Sequence, residues 1–458
     1  MLWRTKSQHS QASEQDLART ESASKNDPSA AATQAASTAW LAGHLNHLTP
    51  EQEEKFVEFK NVCAEREYYT PAVEAAEGVE AAPASHDDAT MLRFLRARKF
   101  DVEGAWGQFK DTEDWRKENA LEELYANINV ASYETTRRMY PQWTGRRDRR
   151  GIPVYVFEIR HLNSKEMAAY HNTMTTGTPE THKSSTVPAR LLHLFTLYEH
   201  LLNFVMPVCS ALARPNPETP IVASTNIVDI SGVGLKQFWN LKGHMQDGSV
   251  LATAHYPETL DRIFIIGAPS FFPTVWGWIK RWFDPVTVSK IFILSAAEVA
   301  PTLNSFMEPT SIPKQYGGEL DWQWGDMPNL DEPAHELLQN LEQPIAEGKE
   351  RKEIIKGPLL FKGDRIEVLG REDGKERRQT IPVPEAKVQP QAEQAETVQA
   401  NGNGTAEPVK ETTETVVNGD VETTTAPVAE NEKTGLDNVA VNVNQVASPE
   451  AQATAAAA

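Results

Sequence analysis

Cysteine is nearly absent from this 458-residue chain, with only Cys63 and Cys209, and nothing in their setting pairs them. A disulfide-built fold is therefore excluded, and a reducing compartment is the expected setting. Aromatic residues stop at Phe361, and from Ile381 onward the sequence is Ala, Glu, Thr, Val, Gln, Asn and Pro. That stretch carries 12 acidic and 3 basic residues, so it supplies −9 of the formal −19. A segment so poor in large apolar groups cannot offset the entropy of ordering, which predicts a disordered tail. The first forty-odd residues, rich in Ser, Ala, Gln and Thr, carry the same expectation. Long hydrophobic runs are missing too. Leu191–Ala213 is interrupted by His193, Glu199, His200 and Asn203, and MLWRTKSQHSQ holds no apolar run fit for a signal peptide. Catalytic signatures are also lacking: there is no HExxH, CxxC, GxSxG or phosphate loop among twelve scattered histidines. His193 and His200 share a helix face without a third ligand, which favours a buried or capped role over a metal.

What the chain does have is concentrated between Tyr256 and Leu294, YPETLDRIFIIGAPSFFPTVWGWIKRWFDPVTVSKIFIL. Two apolar runs, Ile263–Ile266 and Ile291–Leu294, bracket Phe271, Phe272, Val275, Trp276, Trp278, Ile279, Trp282 and Phe283, with only Lys280 and Arg281 as charges. A helix apolar around most of its circumference must cover something apolar inside and meet something apolar outside. A lid over a lipid cavity that opens against a bilayer meets both demands. Gly267-Ala268-Pro269 before it and Asp284-Pro285 after it are suited to act as hinges.

The rest of the chain reads in two grammars. Thr49-Pro50-Glu51-Gln52 forms a capping box with Pro in the first turn, Asp87-Asp88 starts DDATMLRFLRARKF, and Asp101 starts a helix with Trp106, Phe109 and Trp115 inward. These predict an all-helical unit over 46–140. From Arg150 short β-rich runs take over, at Ile152–Ile159, Ile221–Ile230, Arg262–Ile266 and Lys290–Leu294, separated by helical stretches at 191–212 and 234–252. Near-continuous apolar strands with helical crossovers predict an α/β domain with a mainly parallel sheet over 141–325. A helix at 333–346 and an apolar stretch at 353–370 would form an extension over 326–370 that docks on the body. Disordered tails are expected at 1–45 and 371–458.

Glu258 precedes one buried strand and Lys290 begins the next. On neighbouring strands they would converge beside one end of the sheet, within reach of a shared ligand. A carboxylate facing an ammonium suits a polyol phosphate, and equally makes a structural salt bridge. Arg98 and Lys99, at a helix end, fit solvation or the helix dipole as well as a ligand. The run Arg146–Arg150 reads as a solvated turn, with attraction to anionic lipid heads as the second reading.

At these residues DDATMLRFLRARKFD, MYPQWTGRRDRRGIPVY, NIVDISG, HYPETLDRIFIIGAP, FDPVTVSKIFIL and PKQYGG, in that order, resemble the CRAL-TRIO family over about 48–320. They look most like its fungal branch that exchanges phosphatidylinositol and phosphatidylcholine. The resemblance implies a helical N-terminal unit beside an α/β lipid pocket closed by a gating helix, here Phe272, Val275, Trp276, Ile279, Trp282 and Phe283. It implies a phosphatidylinositol headgroup site at Arg98, Lys99, Glu258, Thr287 and Lys290. For the second lipid it implies Tyr155, Tyr198, Ser224 and Asn226, the last standing where the family has a threonine. Thr144 replaces a tyrosine and Thr259 an arginine, and extra segments at 177–188 and Arg214–Pro220 reshape the rim. Losing an aromatic weakens a cradle for a quaternary ammonium, so a sterol, another apolar molecule or a different phospholipid stays open as second ligand. The implied activity is non-enzymatic exchange of phosphatidylinositol for a second lipid at membrane surfaces, with presentation to lipid kinases. The rivals are a lipid-sensing adaptor whose acidic tail recruits partners, an enzyme, and a haem or retinoid-type binder. A monomer is expected, cytoplasmic and peripheral on Golgi or endosomal membranes, with transient membrane contact and no nucleic acid, metal or cofactor.

Overall fold

Local capping chemistry sets the first helices. Thr49 Oγ1 accepts from the Gln52 amide and Gln52 Oε1 from the Thr49 amide, with Pro50 in the first turn, so α1 runs Pro50–Glu65. Asp87 accepts from the Thr90 amide and opens α2, Asp88–Ala97. Then follow α3 Val102–Glu118, α4 Leu121–Asn127 and α5 Val130–Met139. The apolar stripes of α1, α2 and α3 meet around Phe109, which takes the edges of Phe59 and Phe94 at centroid distances of 6.1 and 5.2 Å. Trp115 is buried as expected, whereas Trp106 is half-buried, capped by Tyr68 and the Arg66 guanidinium. The computed structural model describes residues 39–75, 80–163, 165–170, 187–282, 285–344 and 352–384, with Ala39, Trp282, Pro285, Val286, Pro344 and Lys352 in their backbone only. All of them fall in one of the chain's two units, Met1–Gln394; the other, Ala395–Ala458, lies wholly outside them.

The second part is a five-stranded sheet in the order β1-β2-β3-β4-β5: β1 Gln142–Arg147, β2 Pro153–Glu158, β3 Ser224–Asp229, β4 Leu260–Ile266 and β5 Ile291–Ile293. The last four are mutually parallel, joined by helices: α6 Ala189–His200 and α7 Met206–Ala211 between β2 and β3, α8 Leu235–His255 next, then α9 Phe272–Ile279 and α10 Pro285–Ser289. Between α6 and α7 the helix widens into one π-helical turn, Leu201–Val205, just before Pro207, whose missing N–H cannot close an ordinary turn. The span Ala189–Ala211 is long and apolar enough to cross a bilayer by composition alone, yet most of it is buried in the core.

Side chains alternate across the sheet, and its two faces differ. On one, Val154, Val156, Ile227 and Phe264 are fully enclosed with Leu303 of α11, Ala296–Phe306, and with Met307 and Ile312. On the other, Phe157, Val228, Ile263 and Ile291 are only half-buried. Val228 and Ile263 have a strand on each side, so their accessible surface must face a space above the sheet.

Four expectations need correction. The run Arg146–Arg150 is no solvated turn. Arg146 and Arg147 belong to β1, antiparallel to β2, and bond Asn329 and Asp331, while Arg150 pairs with buried Asp148 and with Asp261. The helix expected at 333–346 closes at Leu338 (α12, Glu332–Leu338) and gives way to a 3-10 turn and a strand, β6 Glu342–Pro344, paired with β7 Lys352–Ile354. The extension does not stop at 370. Strands β8 Leu359–Phe361, β9 Arg365–Val368 and β12 Gln379–Pro382 form a sheet, with a β10–β11 hairpin (Arg371–Glu372 and Lys375–Glu376) between, and Ile366, Val368, Ile381 and Val383 join the core around Phe204. Order also begins before residue 46, since Ala39–Leu41 form a 3-10 turn with Leu41 buried.

Candidate functional site

Two kinds of surface stand out around the sheet. The first is charged. Arg93 and Arg96 lie one turn apart on α2 and so share a face. That face abuts the loop 256–258 that leads from α8 into β4. Arg93 is buried and donates to the Pro257 carbonyl at 3.1 Å, and burial lowers its guanidinium to about 10. Arg96 donates to Glu258 Oε2 at 3.0 Å, and Lys290 Nζ lies 3.5 Å from the same oxygen and 3.0 Å from the Leu260 carbonyl. Glu258 has a φ of +58°, an unusual conformation for a non-glycine residue, costing about 1–3 kcal/mol. The neighbouring bonds hold it there: Gln108 donates to the Thr253 and Ala254 carbonyls, and Thr259 Oγ1 to that of Tyr256. Trp115 stacks on His255 at 4.3 Å.

Beneath this loop Glu199 of α6 is buried in a network of its own. It accepts from Arg116 through both oxygens (2.6 and 3.0 Å) and from Tyr256 Oη at 2.8 Å. Burial pushes the Glu199 carboxyl up, but Arg116 and these bonds outweigh it and hold the group below its ordinary value.

Arg96, Glu258 and Lys290 open onto a cleft of about 290 Å³ that also touches Trp40, His44, Asp261, Arg262 and Ser289. Three cations in this lining, Arg96, Arg262 and Lys290, face two carboxylates, Glu258 and Asp261. Burial holds His44 at about 4, helped by Arg96 and then Lys290, so it is neutral at pH 7. The cleft thus has one positive charge to spare, which suits a singly charged anion. Trp40 and His44 pack edge to face, and the Arg150 guanidinium sits 4.9 Å over Trp40. Their segment is tied down by Asn46 Nδ2 to the Glu218 carbonyl and by Thr219 Oγ1 to the Leu45 carbonyl.

Of the residues singled out in the sequence, Glu258 and Lys290 do converge. Thr287 lies one turn before Lys290, whose amide donates to its carbonyl at 3.1 Å. Arg98 and Lys99 do not join them: both are exposed at the end of α2 and outside the cleft lining. Arg96 takes the place nearest Glu258 instead. Its three-residue spacing from Arg93 was visible in the sequence but does not by itself rank it above Arg98.

The second surface is apolar and lies on the half-buried sheet face. Tyr155 and Asn226 are register partners across β2 and β3, and Ser224 shares their side. Asn226 Nδ2 donates to Ser224 Oγ at 3.0 Å, and Ser224 Oγ to the Thr259 carbonyl at 3.2 Å, so both are engaged within the protein. Tyr198 is half-buried against Tyr256 at 4.7 Å. Thr144 is buried and donates to the Val154 carbonyl. The segment 177–186 lies outside the described residues.

α9 covers this face. Phe272 and Val275 are buried against Tyr140, Leu162, Val233 and Ile265, Trp276 and Ile279 are half-buried, and Trp278 is exposed. Phe283 and Asp284 lie outside the described residues, as does the Trp282 side chain. Gly267, ahead of the helix, has a φ of +68°, and a Cβ there would fall 1.9 Å from Ser231 Oγ, so only glycine fits this turn. Among the described residues no group of three or more His, Cys, Asp or Glu could hold a metal. His200, seven residues from His193, is held at about 3 by burial and then by Arg137, and shares a hydrogen bond with Tyr125 Oη.

Comparison with known proteins agrees with this architecture. Residues 137–318 match the CRAL/TRIO domain and residues 55–111 the CRAL/TRIO N-terminal domain. The chain is 32% identical over 289 residues to a CRAL-TRIO domain-containing protein of Saccharomyces cerevisiae, covering 61% of this chain and 81% of that one. It is 29% identical over 281 residues to the SEC14 cytosolic factor of Kluyveromyces lactis, covering 61% and 82%. A phosphatidylinositol/phosphatidylcholine transfer protein of Arabidopsis thaliana is 31% identical over 238 residues, 52% of this chain and 40% of the plant protein.

Proposed function

The chain belongs to the CRAL-TRIO family, and from that premise we propose that it is a non-enzymatic carrier that binds phosphatidylinositol and exchanges it for a second lipid at membrane surfaces. One observation carries the reading: the Arg96–Glu258–Lys290 cluster opens at the end of a sheet whose covered face is left half-filled beneath an all-round apolar helix. A phosphodiester brings one negative charge, matching the cleft's spare positive one. Glu258 accepts from inositol hydroxyls, while Lys290 and Arg96 meet the phosphate. Thr287 adds a donor beside them, and Arg98 and Lys99 guide the anion from outside. Acyl chains lie along Phe157, Val228 and Ile263. Tyr155, Tyr198, Ser224 and Asn226 border the second lipid's headgroup, and the mutual engagement of Ser224 and Asn226 favours a ligand other than a choline lipid.

Each acyl methylene gains about 0.8 kcal/mol on leaving water, so a two-chain lipid does not escape into solution at a useful rate. Exchange takes place at a bilayer, with α9 swung outward about Gly267. On this reading the protein is a cytoplasmic monomer, peripheral on internal membranes such as Golgi or endosomes, and its bound phosphatidylinositol is presented to lipid kinases.

Glu258→Ala and Lys290→Ala test the assignment. Each removes charge-assisted bonds worth about 1.5–3 kcal/mol, so phosphatidylinositol transfer between vesicles should fall by about tenfold or more. Circular dichroism should stay unchanged. Normal transfer by both variants would overturn the headgroup site, and no lipid on extraction and mass spectrometry of the purified protein would overturn the carrier.

A further inference from the structure

The outer side of the lid region carries a feature that ligand binding does not use. Leu235 and Trp239 of α8 are 44% and 47% exposed, and Trp278 of α9 is 39% exposed. The Trp239 and Trp278 rings lie 5.4 Å apart, so they form one patch shared by a framework helix and the lid. Scattered exposed apolar residues are ordinary, but two tryptophans in contact on a surface mark an interaction site. Lys242 Nζ sits 5.3 Å over the Trp239 ring, and Lys236, Lys280 and Arg281 are exposed nearby in sequence. Residues 231–246 and 267–283 contain no Asp or Glu, in a chain of formal charge −19. A net-acidic protein is repelled by an anionic surface unless it turns a locally basic face toward it. Indole rings that keep one edge wet, among lysines, suit the headgroup layer of a bilayer.

We propose that Leu235, Trp239 and Trp278, flanked by Lys236, Lys242, Lys280 and Arg281, form the surface on which the closed protein docks to an anionic membrane. Because the patch is built half from α8 and half from α9, the docked bilayer grips the lid itself, and parting of the Trp239–Trp278 pair becomes a step in opening. The proposal deepens the carrier reading and rests on it only for what happens after docking.

The test is co-sedimentation of the full chain with vesicles of phosphatidylcholine alone or with added phosphatidylserine. The parent protein should bind better when phosphatidylserine is present, and salt should weaken that gain. Trp239→Glu should weaken binding to both vesicle types by about tenfold, and Trp239→Phe should restore most of it. Lys236→Gln with Lys242→Gln should weaken binding by about twentyfold on phosphatidylserine vesicles only. Parent-like binding by Trp239→Glu overturns the proposal, as does indifference to phosphatidylserine, either of which would leave the patch to an acidic protein partner. The two readings fail separately. Trp239-dependent binding by a protein that exchanges no lipid ends the carrier and keeps the docking surface; lipid exchange with Trp239-independent binding does the reverse.

Discussion

The two faces of the central sheet are cut from the same strands and have opposite packing. Val156, Ile227 and Phe264 stand in register on one side with no accessible surface. One position along, Phe157, Val228 and Ile265 stand in register on the other, and the first two are half-buried. Parallel strands are ordinarily buried on both faces. The contrast teaches that here one face holds the fold together and the other is kept unfilled for a ligand. Apolar composition alone cannot separate the two, since every one of these residues would be placed in a core.

Substitutions can break the contrast. The largest expected effect is Phe264→Ala, which leaves a cavity in a close-packed layer and should cost about 3–5 kcal/mol in urea denaturation. Val228→Ala should cost a small fraction of that, because its methyl groups already border empty space. Equal costs would mean that the two faces are packed alike. Insertion is a sharper test of smaller size. Ile227→Phe should destabilise by about 1–3 kcal/mol through overpacking, whereas Val228→Phe should cost less than about 1 kcal/mol and lower the amount of lipid that co-purifies.

The smallest effect concerns protons. His44, His244 and His255 are held at about 4 and His200 at about 3, each chiefly by burial, against an ordinary 6.5. Between those values the unfolded chain binds protons that the native protein refuses. Stability therefore falls as pH drops below about 6.5, and the loss is complete only once pH passes the folded values. Each histidine contributes on the order of 1 kcal/mol by pH 5. His44→Gln should flatten the decline by one such share, and an unchanged slope of the urea midpoint against pH would show that His44 is not shielded in the cleft.

Much of this was legible in the sequence, for physical reasons that can be named. α1 and α2 were announced by caps, and β2 to β5 by β-branched runs too apolar for a surface. β1 was hidden because QWTGRR is an edge strand whose arginines find partners on a distant segment, Asn329 and Asp331, that local pattern does not reveal. The sheet of β8, β9 and β12 was hidden because its strands are three or four residues long and mix Arg, Glu and Gln with the few apolar residues that reach the core. In the charged cleft the pair Glu258 and Lys290 could be read from strand adjacency. Arg96 could not be ranked above Arg98 without knowing that α2 ends at Ala97 and that Lys99 and Phe100 both take positive φ, which breaks the helical register beyond it.

Trp40 and His44 precede residue 55, where the match to the CRAL/TRIO N-terminal domain begins. A version of the chain trimmed to that boundary for expression would keep every helix from α2 onward and lose one wall of the charged cleft. Such a shortened protein should leak its cargo during purification, and its emptiness would be mistaken for a lack of affinity.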